Sequence, residues 1–119
     1  MPNSPKNLYK KILGRKGEKA VEKYLKKQGC KILERNYQTP FGEADLIVLD
    51  KTEIAFVEVK TRTGDNYGTP AEAVGREKQR RYYQIAGCYW LKIGKEPNAR
   101  FDVAEVFADG KIEYIKNAF

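Results

Sequence analysis

Apolar residues recur at helical spacing between residues 7 and 28. Leu13, Ala20, Val21, Tyr24 and Leu25 fall on one side of a helical wheel, with Gly14 and Gly17 among them. Arg15, Lys16, Lys19, Lys23, Lys26 and Lys27 fill the opposite side, and Glu18 sits at the seam. A glycine on a buried helix face costs about 1 kcal/mol relative to alanine, so the expected use of Gly14 and Gly17 is close approach to a sheet. Gly29 is the expected C′ residue, and residues 1–6 read as a loose tail. Segments rich in β-branched residues follow at 31–37, 43–49 and 54–62. Gln38-Thr39-Pro40-Phe41-Gly42 breaks the first pair, and Asp50-Lys51-Thr52-Glu53 turns the second pair into a hairpin. After a polar loop at 63–68, Thr69 reads as an N-cap, Pro70 as N1 and Glu72 as N3. They open a second helix with Val74, Tyr82, Ile85 and Tyr89 on its apolar face and its end near Gly94. Strands at 100–107 and 111–115 close the chain, joined by Ala108-Asp109-Gly110. The order α-β-β-β-α-β-β predicts an α/β fold in which helices flank one mixed sheet. No repeat or linker divides it, so 1–119 reads as a single domain.

Composition narrows the class. A chain of 119 residues with 41 % hydrophobic positions is long enough and apolar enough for one core. No apolar run approaches the roughly 18–20 residues that span a bilayer, and the polar, basic N-terminus lacks the apolar stretch of a signal peptide. The expectation is a cytoplasmic protein without membrane association, with Cys30 and Cys88 as reduced packing residues. The net charge of +7, from 23 basic and 16 acidic side chains, favours polyanions: nucleic acid first, a membrane surface or acidic protein second. Histidine is absent and Ser4 is the sole serine. That removes Ser–His and Cys–His catalysis and every imidazole metal site. Hydrolysis by this chain would have to run on carboxylates, lysine and a hard, oxygen-seeking cation.

The hairpin turn fixes a register. With Lys51 and Thr52 as the loop, Asp50 faces Glu53, and further along Asp45 faces Glu58 and Glu43 faces Lys60. Strand side chains alternate, so both of these last pairs share one face. Opposed Cβ atoms lie about 4.5–5.5 Å apart, where like charges destabilise. A divalent cation between Asp45 and Glu58, with Lys60 close by, would compensate them. A salt-bridged patch, with Glu43 neutralising Lys60 and Glu58 taking a surface arginine, accounts for the same spacing. The charges do, however, interrupt the two most strand-like segments of the chain, and such breaks in local rules are where functional sites are expected.

Asp45 followed by Glu58-Val59-Lys60 resembles the signature of PD-(D/E)XK nucleases. The wider set resembles the YraN-like family of predicted endonucleases: Gly14-Arg15-Lys16-Gly17-Glu18, Gly42-Glu43-Ala44-Asp45-Leu46-Ile47, Phe56-Val57-Glu58-Val59-Lys60-Thr61-Arg62, Pro70-Ala71-Glu72-Ala73-Val74, Arg100-Phe101-Asp102-Val103 and Asn117-Ala118-Phe119. One departure is Ala44, where the superfamily name has proline, an odd residue inside a paired strand. The resemblance implies a restriction-endonuclease-like fold related to Holliday-junction resolvases. It implies Asp45 and Glu58 as ligands of Mg²⁺ or Mn²⁺, the Val59 carbonyl and Glu18 as further ligands, and Lys60 as the catalytic lysine. It also implies hydrolysis of DNA, leaving a 3′-hydroxyl and a 5′-phosphate, in repair or recombination. For Glu18, a solvated helix residue paired with Arg15 or Lys11 is the competing reading.

For the DNA itself, the stripe Arg15, Lys19, Lys23 and Lys26 is the expected phosphate contact, joined by Arg62 and by Lys78 among the cations of the second helix (Arg76, Lys78, Arg80, Arg81). Gln79 and Tyr83 form a Gln-X-X-X-Tyr spacing that resembles some exonuclease branches. Tyr82, Tyr83, Tyr89 and Trp90 could stack on bases, though core packing accounts better for most of them, and Asp102 reads as an edge-strand charge. Cutting two strands needs two sites, for which a C₂ homodimer is the usual solution. A non-catalytic nucleic-acid-binding module, and an adaptor for an acidic protein, are the readings from other classes.

Overall fold

The computed structural model describes residues 5–62 and 74–119, with side chains from residue 12 onward. Its elements run α1 (Pro5–Lys27), β1 (Lys31–Thr39), β2 (Gly42–Asp50), β3 (Glu53–Arg62), α2 (Arg76–Ile93), β4 (Ala99–Phe107) and β5 (Ile112–Ile115). The strands form one sheet in the order β1-β2-β3-β4-β5. Every neighbouring pair is antiparallel except β3 and β4, which are parallel. That pair needs a crossover, which carries α2.

Each helix covers a different face. Val21 and Leu25 of α1 pack with Leu46, Val48, Ala55, Val57, Ala104 and Val106. Tyr82, Ile85, Ala86 and Tyr89 of α2 pack with Ala44, Ile47, Ile54 and Phe56. The two clusters sort β3 by parity, odd positions toward α1 and even positions toward α2, as strand alternation requires. Gly17 brings α1 onto the sheet: a Cβ there would lie 2.8 Å from the Thr61 hydroxyl. Gly14 plays no such part, because a Cβ there would meet nothing within 4 Å.

Several boundaries differ from the pattern reading. Pro5 and Lys6 belong to α1 rather than to a tail; the fixed φ of proline suits a first helical turn. The loop read at 38–42 shrinks to Pro40 and Phe41. Thr39 closes it, its hydroxyl donating to the Gly42 carbonyl at 2.9 Å and accepting from the Phe41 N–H at 3.1 Å. The Thr69-Pro70-Glu72 capping box lies outside the described residues. The helix itself begins at Arg76, behind an extended Gly75 that has no side-chain cap. Val74 is buried but precedes α2 rather than lining its apolar face. Glycine is the poorest helix former after proline, and Gly75 marks the break. The other helix ends hold: Gly29 and Gly94 both take positive φ, and the Gly94 N–H reaches the Trp90 carbonyl.

Asp102 is no edge charge. It stands on β4, inside the sheet, with none of its surface exposed. It accepts from the Arg100 Nε, the Tyr114 hydroxyl and the Asn117 N–H. Arg100 in turn reaches Asp50 and Glu53, so a buried charge network ties the β2–β3 turn to the C-terminal segment. Among the described residues no helix is long and apolar enough to cross a membrane.

Candidate functional site

The expected register between β2 and β3 holds from Asp50↔Glu53 to Leu46↔Val57 and stops there. From Asp45 onward β2 leaves β3 but keeps its pairing with β1, through Tyr37↔Ala44 to Thr39↔Gly42. The β1–β2 hairpin also turns over at this point. Leu46 packs under α1, yet Ala44, two residues away, packs under α2. Residues two apart on a regular strand share a face, so the twist is concentrated at Asp45. On β1 the matching position is Asn36, which takes a positive φ of 48°. Asparagine tolerates that conformation better than most residues. The predicted ladder pairs Asp45↔Glu58 and Glu43↔Lys60 are therefore both absent. Glu43 instead accepts from Asn36 at 2.8 Å and from Gln38 at 2.5 Å.

Asp45 occupies the gap. Its Oδ2 accepts the Val59 backbone N–H at 2.8 Å, a bond a strand partner would otherwise make. The Ile54 N–H points toward the β4 side, donating to Asn98. By alternation the backbone groups of Val59 point toward β2, and the N–H and C=O of one strand residue face the same neighbour. The Val59 carbonyl thus faces the same gap as the Asp45 carboxylate.

Glu58, 4 % exposed, stands beside it on the α2 face. Its Oε2 accepts the Tyr82 hydroxyl at 2.6 Å, and its Oε1 accepts the Lys78 ammonium. The Lys60 ammonium lies 3.8 Å from the same Oε1. Lys78 and Tyr82 are one helical turn apart, so α2 presents both to Glu58. The electrostatics follow from this crowding. Burial and the charge of Glu58 raise the Asp45 pKa from 3.8 to about 7; the Val59 N–H opposes the shift and Glu18 adds to it. Burial, and then the positive charge of Lys78, lower the pKa of Lys60. Tyr82 is pushed well above its usual value by burial and by Glu58 and Asp45.

The remaining residues singled out in the sequence divide. Glu18 accepts from Asn36 at 2.6 Å, on the α1 side of the gap. Arg62 pairs with the buried Glu105 at 3.2 Å, and Glu105 is the register partner of Lys60. Gln79 donates its amide to the Val74 carbonyl at 2.9 Å, securing the segment before α2. Arg15, Lys19, Lys23 and Lys26 line a groove between α1 and β1 whose lining does not include Glu58. The sequence offers Lys78 as a phosphate contact, whereas the structure seats it on Glu58; the parts of Tyr82, Asn36 and Glu105 emerge only in the fold. The spacing of Lys78 and Tyr82 was the available signal.

Asp45, Glu58 and the Val59 carbonyl are the groups that could hold a metal. Oxygen donors without histidine or thiolate suit a hard divalent ion; burial first, and the Glu58 charge second, make the ionised Asp45 costly, and a cation would offset both. Two carboxylates are what the site offers: among the described residues no three acidic, histidine or cysteine side chains converge as a ready cage. The Lys78 ammonium holds the Glu58 oxygen that a metal would share.

Fold and site together define an α/β protein with two neighbouring carboxylates, Asp45 and Glu58, where two sheet strands part. A family profile described as "Uncharacterised protein family UPF0102" matches residues 17–106, and the chain belongs to that family, in line with the YraN-like resemblance. A UPF0102 protein of Alkaliphilus metalliredigens is 47 % identical over 112 residues, covering 92 % of this chain and 98 % of the relative. One from Caldanaerobacter subterraneus subsp. tengcongensis is 45 % identical, covering 96 % and 99 %.

Proposed function

We propose that the chain is a metal-dependent nuclease of the PD-(D/E)XK type, with a restriction-endonuclease-like fold, that hydrolyses DNA phosphodiesters in the cytoplasm. One observation carries the reading: Asp45 is buried in the gap where β2 leaves β3, within reach of the Glu58 charge, and the Lys60 ammonium stands beside Glu58. A binding module has no need of a buried carboxylate with a second one close by. Asp45, Glu58 and the Val59 carbonyl would hold Mg²⁺ or Mn²⁺. When bound, such a cation polarises a phosphoryl oxygen and lowers the pKa of a water. Glu58 is held in place by Tyr82 and Lys78. Lys60, with its lowered pKa, orients the attacking water or meets the charge developing on the phosphate. Lys78, whose ammonium sits on Glu58, would be a second donor for a phosphate oxygen.

A non-catalytic nucleic-acid-binding module is favoured by one feature, the neutralisation of Glu58 by Lys78. A panel of single-stranded, duplex, flapped and four-way-junction DNAs, with Mg²⁺, Mn²⁺ or EDTA, separates the two. The nuclease reading expects metal-dependent products bearing 5′-phosphates, lost by at least about a hundredfold in Lys60→Ala. Binding without cleavage of any substrate supports the module.

A further inference from the structure

We propose that the groove between α1 and β1 is a track for single-stranded DNA that leads the strand to Asp45. The groove encloses about 850 Å³. Arg15, Lys19, Lys23 and Lys26 form one wall, Arg35 and Asn36 the other, and Leu46 lies at its floor. With Lys27 it holds six cations against Glu18 and Glu22, a net charge of +4. Glu22 is engaged by Arg35 at 3.0 Å and by Lys26 at 3.1 Å, so it braces the two walls instead of opposing a ligand. Among the described residues Arg15, Lys19, Lys23 and Lys27 make no ion pair.

The wall is regular. Arg15, Lys19 and Lys23 are four residues apart, which sets one cation per about 6 Å of helix, and the line to Lys26 runs for about 16 Å. A flexible chain with one charge per repeat matches that line; the scattered charge of a folded acidic protein does not. Charge placement selects the form of nucleic acid. The cations of α1 lie along one line and face Arg35 alone on β1, which suits a single phosphate backbone; a duplex presents two. A positively charged groove that follows one backbone is how single strands are held without sequence preference.

The groove also leads somewhere. Glu18 and Asn36 line it and bond to each other at 2.6 Å. The register of Arg35↔Leu46 and Tyr37↔Ala44 sets Asn36 across from Asp45, and the floor residue Leu46 is the chain neighbour of Asp45. The track therefore opens on the gap between β2 and β3. What happens at that end rests on the nuclease reading; occupancy of the groove does not.

The test reads binding without divalent metal. Fluorescent dT₂₀ and a 20-base-pair duplex are titrated in EDTA over a range of salt. The partners are the full chain, Lys19→Glu/Lys23→Glu, and a charge-matched Lys95→Glu/Lys111→Glu control. The proposal expects dT₂₀ to bind at least tenfold tighter than the duplex. It expects the groove variant to lose at least tenfold for dT₂₀ and about 1.4 of its log–log salt slope, at about 0.7 per lost single-strand contact, while the control is unchanged. Equal or tighter duplex binding overturns it, as does a groove variant that matches the control. Equal competition by a 20-residue polyglutamate, charge for charge, assigns the groove to acidic protein and also overturns it. Cleavage is then read with Mg²⁺. Groove binding without cleavage sinks the nuclease reading alone, and metal-dependent cleavage with an indifferent groove variant sinks the track alone.

Discussion

The Asp45 carboxylate accepts the Val59 N–H at 2.8 Å, so a side chain fills the ladder position that the backbone of β2 vacates. Asp45 thus has two jobs that substitutions separate. Asp45→Asn keeps an acceptor for Val59 and removes the charge facing Glu58; Asp45→Ala strands a backbone donor, at about 1–3 kcal/mol. The folded pKa of Asp45 is raised, from 3.8 to about 7. Its protonated form therefore favours folding at low pH, and that contribution is lost as pH rises toward 7. Thermal melts in EDTA should show the parent and Asp45→Asn about equal near pH 4. By pH 8 Asp45→Asn should be the more stable, with Asp45→Ala below it throughout. A parent that gains on Asp45→Asn between pH 4 and pH 8 would show that Asp45 is stabilised by a cationic partner instead.

Glu58 is nearly buried and relies on Lys78 and Tyr82. Removing either leaves a carboxylate oxygen short of a donor. Tyr82→Phe and Lys78→Met should each cost about 1–3 kcal/mol without metal, read as a lower urea midpoint at unchanged m. Their responses to Mg²⁺ should differ. Lys78→Met frees the oxygen a cation needs, so its gain from Mg²⁺ should exceed the parent's. Equal gains in the two proteins would mean that Lys78 and the metal do not compete.

Gly17 and Gly14 look alike in the sequence, and the sheet treats them differently. A Cβ at Gly17 would stand 2.8 Å from the Thr61 hydroxyl, whereas Gly14 faces open space. Gly17→Ala should lose about 1–3 kcal/mol through overpacking, despite the helix-forming gain of alanine. Gly14→Ala should be stabilising by up to about 1 kcal/mol. Chemical denaturation of both variants checks the pair, and a neutral Gly17→Ala would mean that α1 sits farther from β3.

The element order, the register from Asp50 to Leu46 and the helix ends at Gly29 and Gly94 were legible because local rules fix them: alternation, turn length and the need of a positive φ. The departure of β2 from β3 was not legible. Asp45 and Ala44 read like any strand pair, and the positive φ at Asn36 that accompanies the twist belongs to another strand. Extending the register past Leu46↔Val57 paired Asp45 with Glu58 one step on and Glu43 with Lys60 three steps on, and neither pair is in the ladder. The partners of Glu58 were hidden for a related reason. Tyr82 fits a core position on the α2 wheel, and only the packed fold shows that its hydroxyl reaches a carboxylate. Buried Asp102 was misread as an edge charge because strand order within the sheet, which puts β4 between β3 and β5, is set by the crossover and not by any residue near Asp102.

The central claim is that Asp45 and Glu58 form a divalent-cation site. A ligand that binds only the native state raises its stability by about 2.7 kcal/mol at a hundred times its dissociation constant. The direct measurement is the melting temperature at pH 8 across a titration of Mn²⁺ and Mg²⁺, for the parent and for Asp45→Asn. The account predicts a saturable rise in the parent, and in Asp45→Asn a much smaller rise or none. A parent whose melting temperature ignores both metals, or an Asp45→Asn variant that rises as far as the parent does, would contradict it.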